Sequence, residues 1–257
     1  MDLQFKWIGG ATWLLDVGGV RIACDPVLCP KDTVQDYFWF KARRRDDPVY
    51  SEAELADVDL WLLTHPHEDH VDAPGLARIN KASRIVTRRN VLPLIPDHPA
   101  ENVTALEWGE QTEIEFGDVR IRVEAVPAIH GVNPVTAILA GGVNGFYLTL
   151  RQGTEEAHVY VTSDTVLKRK VMDAVAGRPV DLLIPNMGAA RQGSWMMTLT
   201  LSSKMLQRMA ERLQPKWIVP VHFHTFDHYV EPIDKVRTWA DESMVILAPG
   251  ESARLTV

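Results

Sequence analysis

Six of the nine histidines fall in two short segments. The first reads Thr64-His65-Pro66-His67-Glu68-Asp69-His70 and follows the apolar run Asp59–Thr64. A chain leaving a buried strand is held rigidly at the sheet edge, and alternate residues of an extended chain point the same way. His65 and His67 can therefore face one point, with Asp69 and His70 just beyond for a neighbouring one. Imidazole nitrogens and carboxylate oxygens are the ligands that a divalent ion such as zinc takes, at ~2.0–2.2 Å. A hydrogen-bonded polar turn would not call for three histidines and an aspartate in six residues.

The elements around this segment alternate in kind. Gln4–Ile8, Thr12–Val17 and Val20–Cys24 read as strands, the last two joined by a Gly18-Gly19 hairpin turn. Residues 29–50 form a long irregular stretch holding the aromatic run Tyr37–Phe40, and a loop of that length is usually functional. Ser51 with Glu54 is a capping-box pattern for a short helix. A helix is expected near Pro74–Lys81 and a strand over Arg84–Thr87. Thr112–Phe116 and Val119–Val126 form a second hairpin, and Phe146–Leu150 pairs with His158–Thr162. Val166–Ala176 is expected to be helical, Val180–Ile184 a strand. Leu201, Met205, Met209 and Leu213 form the stripe of an amphipathic helix. Trp217–Val221 and Val245–Ala248 read as late strands. Two sheets with flanking helices in one layered domain fit this order.

The composition narrows the function. The chain has 257 residues, 27 basic and 34 acidic side chains and a net charge of -7, with no basic stripe of the kind nucleic acid requires. No nucleic-acid partner is expected. The N-terminus lacks the apolar stretch of a secretory signal. The uncharged run Gly131 to Leu150 contains Asn133, Pro134, Gly141, Gly142, Asn144 and Gly145, too many breakers for a membrane helix, and reads as buried strands with a turn. No transmembrane segment is expected. Cys24 and Cys29 are too few for a disulfide framework or a zinc cage, so reduced thiols in a cytoplasmic protein are expected.

The HxHxDH pattern after a buried strand resembles the signature of the metallo-β-lactamase-fold hydrolases. Three further positions match that family in order: His130 in AVPAIHG, Asp164 in VYVTSDT and His222 in IVPVHFHTF. Taken alone, His130 reads as a core histidine and Asp164 as the N-cap of the helix at Val166. The likeness spans roughly residues 5–255. It implies an α+β fold, an αβ/βα four-layer sandwich of two mixed β-sheets flanked by helices, with residues 1–257 as a single domain. It also implies two divalent metal ions, zinc first and manganese or iron as alternatives. His65, His67 and His130 would hold one ion, Asp69, His70 and His222 the other, and Asp164 would bridge them. Asp25 in CDPVL matches an early aspartate that orients a metal-site histidine; an ordinary Asp-Pro turn is the other reading. The opening WIGGATWLLDVGGVRIACDPVL is similar to the L-ascorbate-6-phosphate lactonase branch. The late VHFHTFDHYVEP is similar to the N-acyl phosphatidylethanolamine phospholipase D branch, from which His224 departs, since that branch has glycine there.

The implied activity is hydrolysis of an ester-type bond, lactone or phosphodiester, in a small anionic substrate by a hydroxide held between two ions, with Asp69 aiming it. Asp69 and Asp164 are the expected catalytic carboxylates. Arg191, Trp195, His224, His228 and Tyr229 are candidates to line the substrate pocket or support the ligands, and Tyr37–Phe40 to cover it. The alternative is an iron-binding oxidoreductase acting on a sulfur compound or dioxygen. The sequence carries no reading of oligomeric state.

Overall fold

The computed structural model describes residues 1–37, 40–191 and 195–257, with the backbone alone at Phe40 and Trp195. The first sheet is built from β1 (Asp2–Gly9), β2 (Thr12–Val17) and β3 (Val20–Cys24). A two-stranded hairpin, β4 (Val34–Tyr37) and β5 (Phe40–Arg43), comes next. The chain then adds β6 (Leu60–Leu63), β7 (Arg84–Thr87) and β8 (Val103–Ala105) to the first sheet. The second sheet takes β9 (Gln111–Phe116), β10 (Val119–Ala128), β11 (Val143–Gln152), β12 (Glu155–Ser163), β13 (Leu182–Pro185) and β14 (Trp217–Ile218). The last strand, β15 (Ser252–Thr256), returns to the first sheet beside β1, giving the order β15-β1-β2-β3-β6-β7-β8. The second sheet runs β14-β13-β12-β11-β10-β9.

Both sheets are mixed. Hairpin-linked strands pair antiparallel, while β3-β6-β7-β8 and β12-β13-β14 pair parallel. Alternation explains the packing. In β10, Val119, Ile121, Val123 and Ala125 are buried while Arg120 between them is exposed. These side chains meet Phe5, Trp13 and Leu15 of the first sheet in one core that also takes Phe146 and Leu148 of β11. β6 is buried on both faces, as a parallel strand covered by helices must be. Its outward side chains Trp61 and Leu63 pack with Leu55 of α1 (Glu52–Ala56) and with Val71 and Ile79, which flank α2 (Ala73–Leu76). The other helices are α3 (Pro134–Leu139), α4 (Arg169–Asp173), α5 (Ser203–Leu213) and α6 (Asp234–Arg237). Among the described residues no helix is long and apolar enough to cross a membrane.

The expected elements are present with specific corrections. Ser51 and Glu54 do form a reciprocal capping box, and α5 carries the amphipathic stripe from Ser203 on. Residues 29–50 are not irregular throughout, since β4 and β5 lie within them. Gly131 to Leu150 is not strand throughout: Asn133 caps α3 and Pro134 opens it. Val166–Ala176 shortens to Arg169–Asp173 with Lys168 at the N-cap, so Asp164 is too early in the chain to cap it. Val245–Ala248 makes no strand. Val245 N–H donates to the Ile218 carbonyl at 2.8 Å and the pairing stops there.

Candidate metal centre

Ligands of open mixed sheets gather outside the carboxyl ends of parallel strands, and this chain brings its histidines and aspartates to such ends. Asp25 follows β3, His65 follows β6, and Asp164 follows β12. His130 lies two residues past β10, and His222 follows the backbone bridge between Asn186 and Val221. Past β6 the chain turns back on itself, with the backbone N–H groups of His70 and Val71 both donating to the His67 carbonyl. Asp72 then caps α2, one carboxylate oxygen accepting from Gly75 N–H and the other from Cys29 N–H, both at 2.7 Å.

Two clusters result. One nitrogen each from His65, His67 and His130 lies within 4.8 Å of the others, and so do ligand atoms of Asp69, His70, Asp164 and His222. All except half-buried His67 are buried. Asp164 stands between the clusters. Its Oδ1 is 3.2 Å from His70 Nε2 and 3.5 Å from His222 Nε2, while its Oδ2 is 3.6 Å from His130 Nε2.

The outward hydrogen bonds set which ring nitrogen faces inward. His130 Nδ1 donates to the Leu199 carbonyl at 3.1 Å, and His222 Nδ1 to the Met187 carbonyl at 3.3 Å. His70 Nδ1 donates to Asp25 Oδ2 at 2.6 Å. The Thr64 hydroxyl has one proton, given to Asp25 Oδ2 at 2.7 Å, so it accepts from His65 Nδ1 at 2.9 Å. In their neutral form all four rings thereby present Nε2 to the centre with its lone pair available. The Nε2 atoms of His70 and His222 are 3.1 Å apart, and His65 Nε2 is 3.0 Å from His67 Nδ1. Lone pairs converging this closely suit a shared cation.

The electrostatics agree with that chemistry. Burial, with the charge of neighbouring histidines, pushes His65 well below the usual imidazole range, and burial brings His67 down to about 4. Burial lowers His130 as well. These three rings are neutral at pH 7, the state in which imidazole binds metal. His70 goes the other way: burial opposes its charge, but Asp164 and Asp25 outweigh that and raise it well above the usual range. The space between these carboxylates thus favours positive charge, which a divalent ion supplies. Burial also works against ionised Asp69 and Asp164. The neighbouring histidines, His222 and His228 beside Asp69 and His222 and His70 beside Asp164, overcome it, so both carboxyls sit well below the usual range. The donor set, its tautomers and its field fit two divalent ions.

Asp69 is gripped from outside the ligand set. Tyr37 Oη donates to its Oδ1 at 2.7 Å, Tyr229 Oη lies 3.0 Å from its Oδ2 and 2.7 Å from His222 Nε2, and His228 Nε2 lies 3.2 Å from Oδ2. Tyr37, expected in a cover, is part of the site itself; Phe38 and Trp39 of the same run lie outside the described residues, as does the side chain of Trp195. His228 lines the cavity over the centre. Asp25, a sequence candidate for support of the ligands, accepts from His70 Nδ1 at 2.6 Å and from Thr64 N–H at 2.8 Å. Arg191 and His224 do not line that cavity. Arg191 borders a separate cleft with Glu231 and Lys235. His224 is 67% exposed, 3.5 Å from Asp46. His222 and His224 both adopt left-handed backbone (φ 59° and 65°), so the alternation that would have aimed them together is broken. Asn186, whose Nδ2 donates to Asp164 Oδ1 at 2.9 Å, and Thr64 escape sequence reading because neither residue type signals such a role alone.

The cavity over the centre has a volume of about 320 Å³, with His67, Asp69, His130 and Asp164 at its base. A family model described as a beta-lactamase superfamily domain matches residues 21–223. A UPF0173 metal-dependent hydrolase of Methanopyrus kandleri is 27% identical, covering 97% of this chain and 99% of its own. An N-acyl-phosphatidylethanolamine-hydrolyzing phospholipase D of Caenorhabditis elegans is 25% identical over 91% of this chain and 69% of that protein. The crystal structure of a possible metal-dependent hydrolase from Veillonella parvula superposes with a TM-score of 0.82 at 25% identity, covering 98% of this chain and 99% of that one.

Proposed function

We propose that this chain, which belongs to the β-lactamase superfamily, is a metal-dependent hydrolase that cleaves an ester-type bond, lactone or phosphodiester, in a small molecule. His65, His67 and His130 would hold one divalent ion, Asp69, His70 and His222 a second, and Asp164 both. The observation that carries this reading is the position of Asp164, with one oxygen facing each cluster. Zinc suits a set of imidazoles and carboxylates, and manganese or iron could replace it. When bound, such ions lower the pKa of a water toward neutrality and polarise the bond to be cleaved.

The protein's own part follows from its contacts. Asp69, ionised and fixed by Tyr37, Tyr229 and His228, accepts a hydrogen bond from the attacking water and aims it. Asp25 and Thr64 hold His70 and His65 in the tautomer that leaves Nε2 free. The core shared by both sheets supports reading residues 1–257 as one domain. The free, buried Cys24 and Cys29 are in keeping with a reducing compartment such as the cytoplasm.

Elemental analysis of protein purified without added metal, combined with turnover of a panel of lactones, phosphodiesters and thioesters, tests the proposal. Chelation should abolish turnover and zinc restore it, with His65→Ala and Asp69→Ala each losing at least about 100-fold. Full turnover by demetallated protein would sink the reading. Stoichiometric iron in a coloured protein would move it to oxidoreductase chemistry.

A further inference from the structure

The cavity over the centre has a chemically one-sided wall. Above its base rise Leu139 and Ala140 at the end of α3, Met197 and Leu199 from the segment before α5, and Ala190. Among the described residues that line it there is no lysine or arginine. The nearby cations are engaged elsewhere: Lys168 Nζ donates to the Val132 carbonyl at 2.7 Å, and Arg191 borders the separate cleft.

This wall is built in advance. Asn133 caps α3 reciprocally with Thr136, and its Nδ2 donates to the Met196 carbonyl at 2.7 Å. Val132 N–H donates to the Thr198 carbonyl at 3.0 Å, so α3 and the 196–199 segment are tied together. Yet Leu139 is 53% exposed and Met197 39% exposed. Large apolar side chains held open at the mouth of a preformed cavity mark a surface that an apolar partner covers.

We propose that the substrate carries an uncharged apolar arm, alkyl or acyl, that lies along Leu139, Met197 and Leu199 while its scissile group sits at the base of the cavity. The inference rests on the hydrolase reading and deepens it. It narrows the substrate expected from sequence: any negative charge belongs to the scissile group at the base, because Arg191, a sequence candidate for the pocket, borders a separate cleft. Sugar phosphates and other substrates with a second charged group are disfavoured, since burying such a group against an apolar wall leaves it unpaired.

The test is calorimetric titration of the zinc-loaded protein with the straight-chain series from acetohydroxamic to octanohydroxamic acid. The hydroxamate group chelates metal and the alkyl group reports on the wall. Kd should fall about fourfold per added methylene until the cavity is full. Ligands of equal length ending in a carboxylate should bind more weakly. Leu139→Asp and Met197→Asp should flatten the dependence, while Ile138→Asp, on the same helix, 77% exposed and outside the cavity, should keep it. A flat series on protein that binds acetohydroxamate overturns the apolar arm alone, as does tighter binding of the carboxylates. Failure of every member to bind overturns the arm together with the metal centre.

Discussion

Asp25 does not line the cavity over the centre, but three hydrogen bonds converge on its carboxylate: from Thr64 N–H, from Thr64 Oγ1 and from His70 Nδ1. Through Thr64 it also reaches His65, so one buried carboxylate sets a histidine in each cluster. Removing it frees His70 to rotate, lets either nitrogen carry the proton, and deletes a negative charge beside the centre. Changes of this kind behind a ligand typically cost 10–100-fold in metal affinity. Asp25→Ala should therefore weaken zinc binding by about that factor, read by competition with a chromophoric chelator. Asp25→Asn should recover part of it, since its amide oxygen can still accept from His70. If Asp25→Ala holds zinc as tightly as the parent, Asp25 does not orient His70 for metal.

At the scale of elements, the site depends on how strands end. Asp25, Ser163 and His222 all have positive φ (39°, 51° and 59°), although none is glycine. Each sits at or beside a strand end that delivers a site residue. Such backbone costs of order 1–3 kcal/mol per residue and persists where the surroundings over-determine it. The seven residues that gather in the two clusters, and most of the strands before them, are legible in the sequence, because apolar runs ending in histidine or aspartate are local signals. The hairpin β4–β5 was not: its one buried face is led by Gln35, so the hydrophobic alternation that marks a strand is missing. α3 was hidden by its β-branched Val135, Thr136 and Ile138, though Asn133-Pro134 is a helix-start signal in plain view. β15 exists only by pairing with β1 from the far end of the chain, which no local pattern records. Gly75 is another tertiary constraint. A Cβ there would lie 1.8 Å from the Pro26 carbonyl oxygen, next to Asp25. Gly75→Ala must push α2 away from that segment. It should cost about 1–3 kcal/mol in denaturant unfolding, the range for overpacking, and should loosen zinc binding by disturbing Asp25. An unchanged midpoint would show that the Pro26 backbone yields freely.

For the whole molecule, the centre is a junction between the sheets. Asp25, His65, His67, Asp69 and His70 come from the ends of the first sheet, and His130, Asp164 and His222 from the second. Short contacts cross between them, as between His70 Nε2 and both Asp164 Oδ1 and His222 Nε2. Ions bound there would tie the two halves at the open edge of the sandwich, opposite in kind to the apolar core that joins them inside. They would also offset the mutual repulsion of Asp25, Asp69 and Asp164 in a chain of net charge -7. A ligand that binds only the folded state at 100 times its Kd stabilises by about 2.7 kcal/mol. For a chain of this size each kcal/mol moves Tm by about 2–4 °C. Chelation should therefore lower Tm by about 5–11 °C for one such site, and zinc titration should restore it in a concentration-dependent way. Asp164→Asn, which keeps the shape but removes the charge facing both clusters, should shrink that zinc-dependent gain. A Tm indifferent to chelation in protein shown by elemental analysis to have lost its metal would mean that the sheets are held by the apolar core alone and that the centre is a passenger on the fold.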